Sequence, residues 1–150
     1  MTPPARTSAP RTAARLVLGA FLLFAGAAHL TFARSEFTAQ VPGWLPLDAD
    51  VVVLASGVVE LVLGAALVLL GRYRVLVGWV VAVFFIAVFP GNIAQYVDGV
   101  SAFGLDSDGA RLARLFFQPV LVLWALWSTA AWRDRRTLRP SSTGVRRNKG

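Results

Sequence analysis

The sequence predicts an all-α, integral membrane four-helix bundle with both termini in the cytoplasm. Three observations carry that expectation. Hydrophobic residues make up 56% of the 150-residue chain and charged residues only 15%, against about 25% charged in a soluble domain; mean hydropathy is +0.61. The apolar residues fall in four blocks, each near the ~20 residues that cross bilayer hydrocarbon as a helix. The connections between the blocks alternate in sign of charge. So few charges cannot coat a water-soluble globule, which excludes a disordered chain and most soluble enzymes. The absence of cysteine excludes a disulfide scaffold, a thiol relay, iron–sulfur ligation, c-type haem attachment and cysteine zinc sites. One histidine cannot supply bis-histidine haem ligation, and no metal site is expected.

The first span covers residues 16–33, between Arg15 and Arg34. The second covers 51–71, interrupted only by Glu60; the third covers 75–97, with Pro90 and Asn92 near its far end. The fourth covers 112–132, preceded by Arg111 and ended by a basic tail. Helices are the spanning choice, because no strand-length alternation is present. The rival reading of the first span is a signal peptide cleaved at Ala25-Gly26-Ala27, although the apolar run is long for a signal core. Residues 1–14 and 133–150, rich in Pro, Ser, Thr and Arg, read as disordered basic segments flanking one domain, 15–132.

Loop charges set the orientation. The amino-terminal segment carries Arg6, Arg11 and Arg15, the second turn Arg72 and Arg74, and the tail seven cations against Asp134. The connections 34–50 and 98–110 are net acidic, through Glu36, Asp48 and Asp50 in one and Asp98, Asp106 and Asp108 in the other. The positive-inside rule then puts both termini in the cytoplasm and both longer loops outside. The net charge of +7 reads as topology and anionic-lipid contact, not as nucleic-acid binding, since the tail lacks interleaved aromatics.

Ionisable residues inside a span are costly, so they face protein or water and are site candidates. Glu60 lies roughly 15 Å along the helix from Asp50, near the midplane. Gly57, Glu60 and Gly64 share a face, which lets another helix approach closely and turns Glu60 into the bundle. Gly19, Gly26 and His29 share a face of the first span; Asn92, Gln95 and Tyr96 share one on the third, beyond the kink expected at Pro90. Arg111, Arg114 and Gln118 share one on the fourth. Because the helices alternate in direction, His29, Asn92, Arg114 and Gln118 converge in the outer half, with Glu60 slightly deeper. The five form a candidate ligand-binding set, with Glu60 and His29 as the candidate proton relay. The structural alternative is interhelical hydrogen bonding worth ~0.6 kcal/mol apiece, with a Glu60–Arg114 ion pair. The external Val41-Pro42-Gly43-Trp44-Leu45-Pro46 segment reads as a stiff extended turn, in which Pro42, Trp44 and Pro46 form a lid or an interfacial anchor.

The order of these features resembles the DoxX family of small four-span bacterial membrane proteins, in its DoxX-like branch. The matching residues are Phe24-Ala25-Gly26 with His29, Val41-Pro42 with Leu45-Pro46, and Ser56-Gly57 with Glu60 and Gly64. Val88-Phe89-Pro90 with Asn92-Ile93 follows, then Arg114 with Gln118, so the resemblance covers Arg15 to Trp132. The family takes its name from a subunit of a thiosulfate:quinone oxidoreductase. The resemblance implies a cell-membrane protein that is an accessory subunit of a quinone-linked or detoxifying complex, with quinone as ligand and a redox protein as partner. A non-catalytic scaffold, chaperone or anchor is the alternative, and a small transporter or proton path through Glu60 is a third. Homo-oligomerisation is compatible with four short helices, but nothing in the sequence specifies it.

Overall fold

A computed structural model describes residues 6–138. Its four long helices are α1 (Ala9–Leu30), α3 (Ala49–Leu69), α4 (Arg74–Val97) and α5 (Asp108–Ser128); a short helix, α2 (Arg34–Thr38), precedes α3. Single 3-10 turns cover Gly71–Tyr73 and Arg135–Leu138, and there is no strand among the described residues. All four long helices are long and apolar enough to cross a membrane.

The boundaries follow local chemistry. The Asp48 carboxylate caps α3, accepting from Asp50 N (2.9 Å) and Val51 N (3.1 Å), which fills two of the donors a helix start leaves open. Ser107 caps α5 in the same way through Ala110 N. At the end of α4, Val100 N bonds Gln95 O and Gly99 N bonds Tyr96 O. This is a Schellman closure with the glycine at φ 65°, a conformation open to glycine because it has no Cβ. The α5 end closes alike, with Ala130 in the left-handed position.

Three boundaries differ from expectation. Helix α1 begins at Ala9, not at residue 16, so residues 9–14 are not a disordered segment. Pro10 sits in the first turn, where its missing N–H leaves no bond unmade. Ala14 O accepts from Trp124 Nε1 (3.0 Å) and Arg11 lies 5.4 Å from the Trp127 ring, so this extra turn packs on α5. The chain after residue 132 is likewise not free: Asp134 is tied to Arg74 at 2.6 Å. Residues 1–5 and 139–150, the remainder of the two segments expected to be disordered, lie outside the described residues. The fourth span also sits earlier than predicted, because its cap at Ser107 and its closure at Ala130 fix α5 at 108–128.

Helix α1 packs mainly on α3 and α4 on α5, with α1 also touching α5. The core joins Leu18 and Leu22 to Leu63 and Leu67, then Val77, Val81 and Phe85, and finally Leu121 and Ala125. Val62, Val83, Phe116 and Leu123 face outward, the apolar exterior that lipid requires. The α1–α3 contact is antiparallel through two glycine pairs: a Cβ on Gly19 would stand 3.0 Å from Gly64 O, and one on Gly26 2.7 Å from Gly57 O. The glycine faces legible in the sequence are thus each other's partners.

Candidate functional site

At the bundle end that carries the two longer loops, the helices part around a cavity of about 620 Å³. Most of its wall is apolar. Its polar groups come from every long helix: His29 from α1, Glu60 from α3, Asn92 from α4, and Arg114 and Gln118 from α5. The five side chains singled out in the sequence therefore line one space.

Within the cavity they form two clusters. In the first, His29 Nδ1 lies 2.8 Å from Glu60 Oε2 and 2.9 Å from Ala25 O, one helical turn back. One N–H cannot point along both directions. It is aligned with the carbonyl, so the carboxylate oxygen, although close, has no aligned hydrogen bond. Gly57 allows this seating: a Cβ there would meet the His29 Cβ at 2.7 Å.

The second cluster is a directional chain. Arg114 Nε donates to Asn92 Oδ1 (3.1 Å), Asn92 Nδ2 donates to Gln118 Oε1 (2.9 Å), and Gln118 Nε2 donates to Phe85 O (2.5 Å). Guanidinium only donates, which sets the orientation of each amide in turn. Phe85 O lies one residue before Ile86 O, the carbonyl that Pro90 leaves without its helical donor. Arg114 Nη2 also donates to Gln40 Oε1 (2.8 Å). The Glu60–Arg114 ion pair weighed from the sequence is not formed: Arg114 is engaged by Asn92 and Gln40, and Glu60 sits against His29.

An aromatic bridge joins the clusters across the roof. Phe37 of α2 stacks on the His29 ring at 3.3 Å, meets Phe103 edge-on at 4.6 Å, and Phe103 lies 5.5 Å from the Arg114 guanidinium. Phe103 has φ 55°, a left-handed conformation that costs a non-glycine residue roughly 1–2 kcal/mol. Glu36 Oε2 holds it by accepting from Phe103 N (2.8 Å). Arg34 fixes α2 in turn by a two-pronged bond to Asp50 at the start of α3.

Pro42 and Trp44 line the cavity and Pro46 does not. The segment is a tight turn, closed by Leu45 N to Pro42 O at 3.0 Å, rather than the extended one expected. Two members of the predicted polar faces also serve elsewhere: Arg111 bonds Leu105 O and Asp108, and Gln95 donates to Val100 O. Both tie down the connection between α4 and α5. Gln40, Phe37 and Phe103 escaped the sequence reading, since they sit on short segments without helical periodicity. The only signal was the placement of Gln40 directly before Val41-Pro42. Among the described residues no group of three or more His, Asp or Glu could hold a metal ion.

A family model described as a domain of unknown function, DUF8561, matches residues 18–129. The chain belongs to the DUF8561 family. The match runs from the third turn of α1 to the residue after α5, so every polar group of the cavity lies within the DUF8561 stretch. No curated protein and no solved structure matches the chain.

Proposed function

We propose that this DUF8561 protein is an accessory subunit of a membrane quinone-linked oxidoreductase, and that its cavity holds the quinone head group. One observation carries the reading: the polar side chains line an open cavity, and two of them, Glu60 and Gln40, each keep a buried atom without a partner among the described residues. Polar groups that merely lock helices together fill the room between them, whereas these face a cavity within the 300–1,000 Å³ range of small-molecule sites. An apolar slot with a few convergent polar groups suits a ring bearing two oxygens. With no thiol and one imidazole in the chain, the electron-carrying group belongs to a partner protein. This chain's part is to bind and orient. The resemblance to the DoxX family supports the same reading and a bacterial cell membrane, and the alternating loop charges support cytoplasmic termini.

The test is titration of the purified protein in nanodiscs with a decyl-substituted quinone, read by quenching of Trp44 at the cavity mouth. Saturable quenching, weakened at least tenfold in the His29→Ala, Gln40→Leu double variant, is the expected result. Equal quenching of both proteins overturns the assignment.

A further inference from the structure

Two residues that line the cavity each bury a side-chain atom with no hydrogen-bond partner among the described residues, Glu60 its Oε2 and Gln40 its Nε2. Their neighbours fix what each can do. His29 Nδ1 carries a hydrogen, because it bonds Ala25 O, which can only accept. Glu60 Oε2 lies 2.8 Å from that nitrogen but off the line of its N–H, so in the carboxylate form this oxygen is a free acceptor. Gln40 Oε1 accepts from Arg114 Nη2, and guanidinium cannot accept, so the amide cannot be turned round. Gln40 Nε2 is therefore a free donor. Arg114, Asn92 and Gln118 are already bonded to one another, to Gln40 and to Phe85 O. Among the buried side-chain atoms of the lining residues, the unmet demand is one donor toward α3, such as a hydroxyl, and one acceptor oxygen toward the segment after α2.

We propose that the cavity selects a hydroquinone over the corresponding quinone; this rests on the quinone-site reading above and specifies which form the site takes. A quinone offers two carbonyl oxygens, both acceptors. It answers Gln40 but sets a lone pair against the Glu60 oxygen. A hydroquinone offers two hydroxyls, each able to donate or accept: one donates to Glu60 Oε2 and the oxygen of the other accepts from Gln40 Nε2. Sites built to bond a hydroxyl reject analogues lacking it far more strongly than apolar pockets reject shape changes, because the protein group is then left unpaired.

The experiment is anaerobic titration of the full chain in nanodiscs with four probes: a decyl hydroquinone, its monomethyl ether, its dimethyl ether and the decyl quinone. The hydroquinone is expected to bind about tenfold or more tightly than the quinone or the dimethyl ether, with the monomethyl ether near the hydroquinone. In Glu60→Gln the new amide donates, and the order of quinone and hydroquinone reverses. Quinone binding equal to or tighter than hydroquinone in the natural chain overturns this proposal and leaves the quinone site standing. Absence of saturable binding by all four probes overturns the site and the proposal together. The natural-chain series decides the matter even where the variant fails to fold.

Discussion

Gly57 lies directly beneath His29: a methyl on the glycine would reach within 2.7 Å of the histidine Cβ and 3.2 Å of Gly26 O. The missing side chain on α3 is what lets the imidazole of α1 settle beside the Glu60 carboxylate. Gly57→Ala forces the helices apart or the ring aside, and overpacking of this kind costs about 1–3 kcal/mol. Gly64→Ala, where a Cβ would stand 2.8 Å from Gly19 O, is the control, equally tight but two turns nearer the other end. Both variants should unfold at lower temperature in detergent, and Gly57→Ala alone should also lose quinone binding. Equal loss in both would mean that Gly57 serves packing only.

The roof should loosen when its aromatic bridge is cut. Phe37 contacts both His29 and Phe103, and such ring pairs contribute about 0.5–1.5 kcal/mol beyond burial. Phe37→Ala should therefore speed amide exchange at Phe103 several-fold while leaving the ends of α5 unchanged. Exchange mass spectrometry of the 98–107 connection reads this directly, and unaltered exchange there would assign Phe103 to Glu36 alone.

The four spans, and the side of each that turns inward, were legible because apolar length and the period of 3.6 are local properties. Glu60 between Gly57 and Gly64, and His29 three residues after Gly26, needed no partner to disclose their direction. What escaped was long-range or aperiodic. Gln40 and Phe103 sit on connections whose course is set by a carboxylate on α2 and a guanidinium on α5. Arg74 and Asp134 are 60 positions apart, and a charge run at the end of a span reads as solvated when its partner is invisible. Length bounds inferred from bilayer thickness also cut off the first turns of α1, although Pro10 marked their start.

The amide chain predicts non-additivity. Asn92→Leu strips a partner from both Arg114 Nε and Gln118 Oε1, and each buried group left unmade costs about 1–3 kcal/mol. Gln118→Leu does similar damage from the other side. Once Asn92 is gone, removing Gln118 as well costs little more, since one of its bonds is already broken. Urea unfolding of both single variants and the double should give a double-variant loss well below the sum; simple additivity would mean that the chain does not act as a unit.

Orientation can be read without background labelling, because the chain has no cysteine. The end bearing Arg72, exposed on its turn, also carries Arg11 against Trp127 and Arg135 against Trp132, the basic and aromatic character of a cytoplasmic interface. In intact cells, Ser101→Cys should react with a membrane-impermeant thiol reagent and Arg72→Cys only after lysis. The reverse pattern would turn the protein over and put the cavity on the cytoplasmic side.

The clamp at that basic end predicts an acid-sensitive stability. Bonds from Arg133 and from Arg74 hold the Asp134 carboxyl at about 2, below its ordinary 3.8, with Arg74 at 2.6 Å and nearly enclosed. A carboxyl whose folded pKa is depressed stabilises the fold fully above its unfolded pKa and ceases to do so as pH falls through the folded value. The contribution is therefore constant above about pH 4.5 and fades between about pH 4 and pH 2. Because Arg133 is half in solvent, screening reduces it to the order of 1 kcal/mol. Asp134→Asn cannot titrate. Its unfolding temperature in detergent should lie below that of the natural chain by a fixed interval at neutral pH, and the two curves should converge as pH approaches 2. An interval that persists unchanged at pH 2 would show that Asp134 acts through shape and hydrogen bonding alone, independent of its charge.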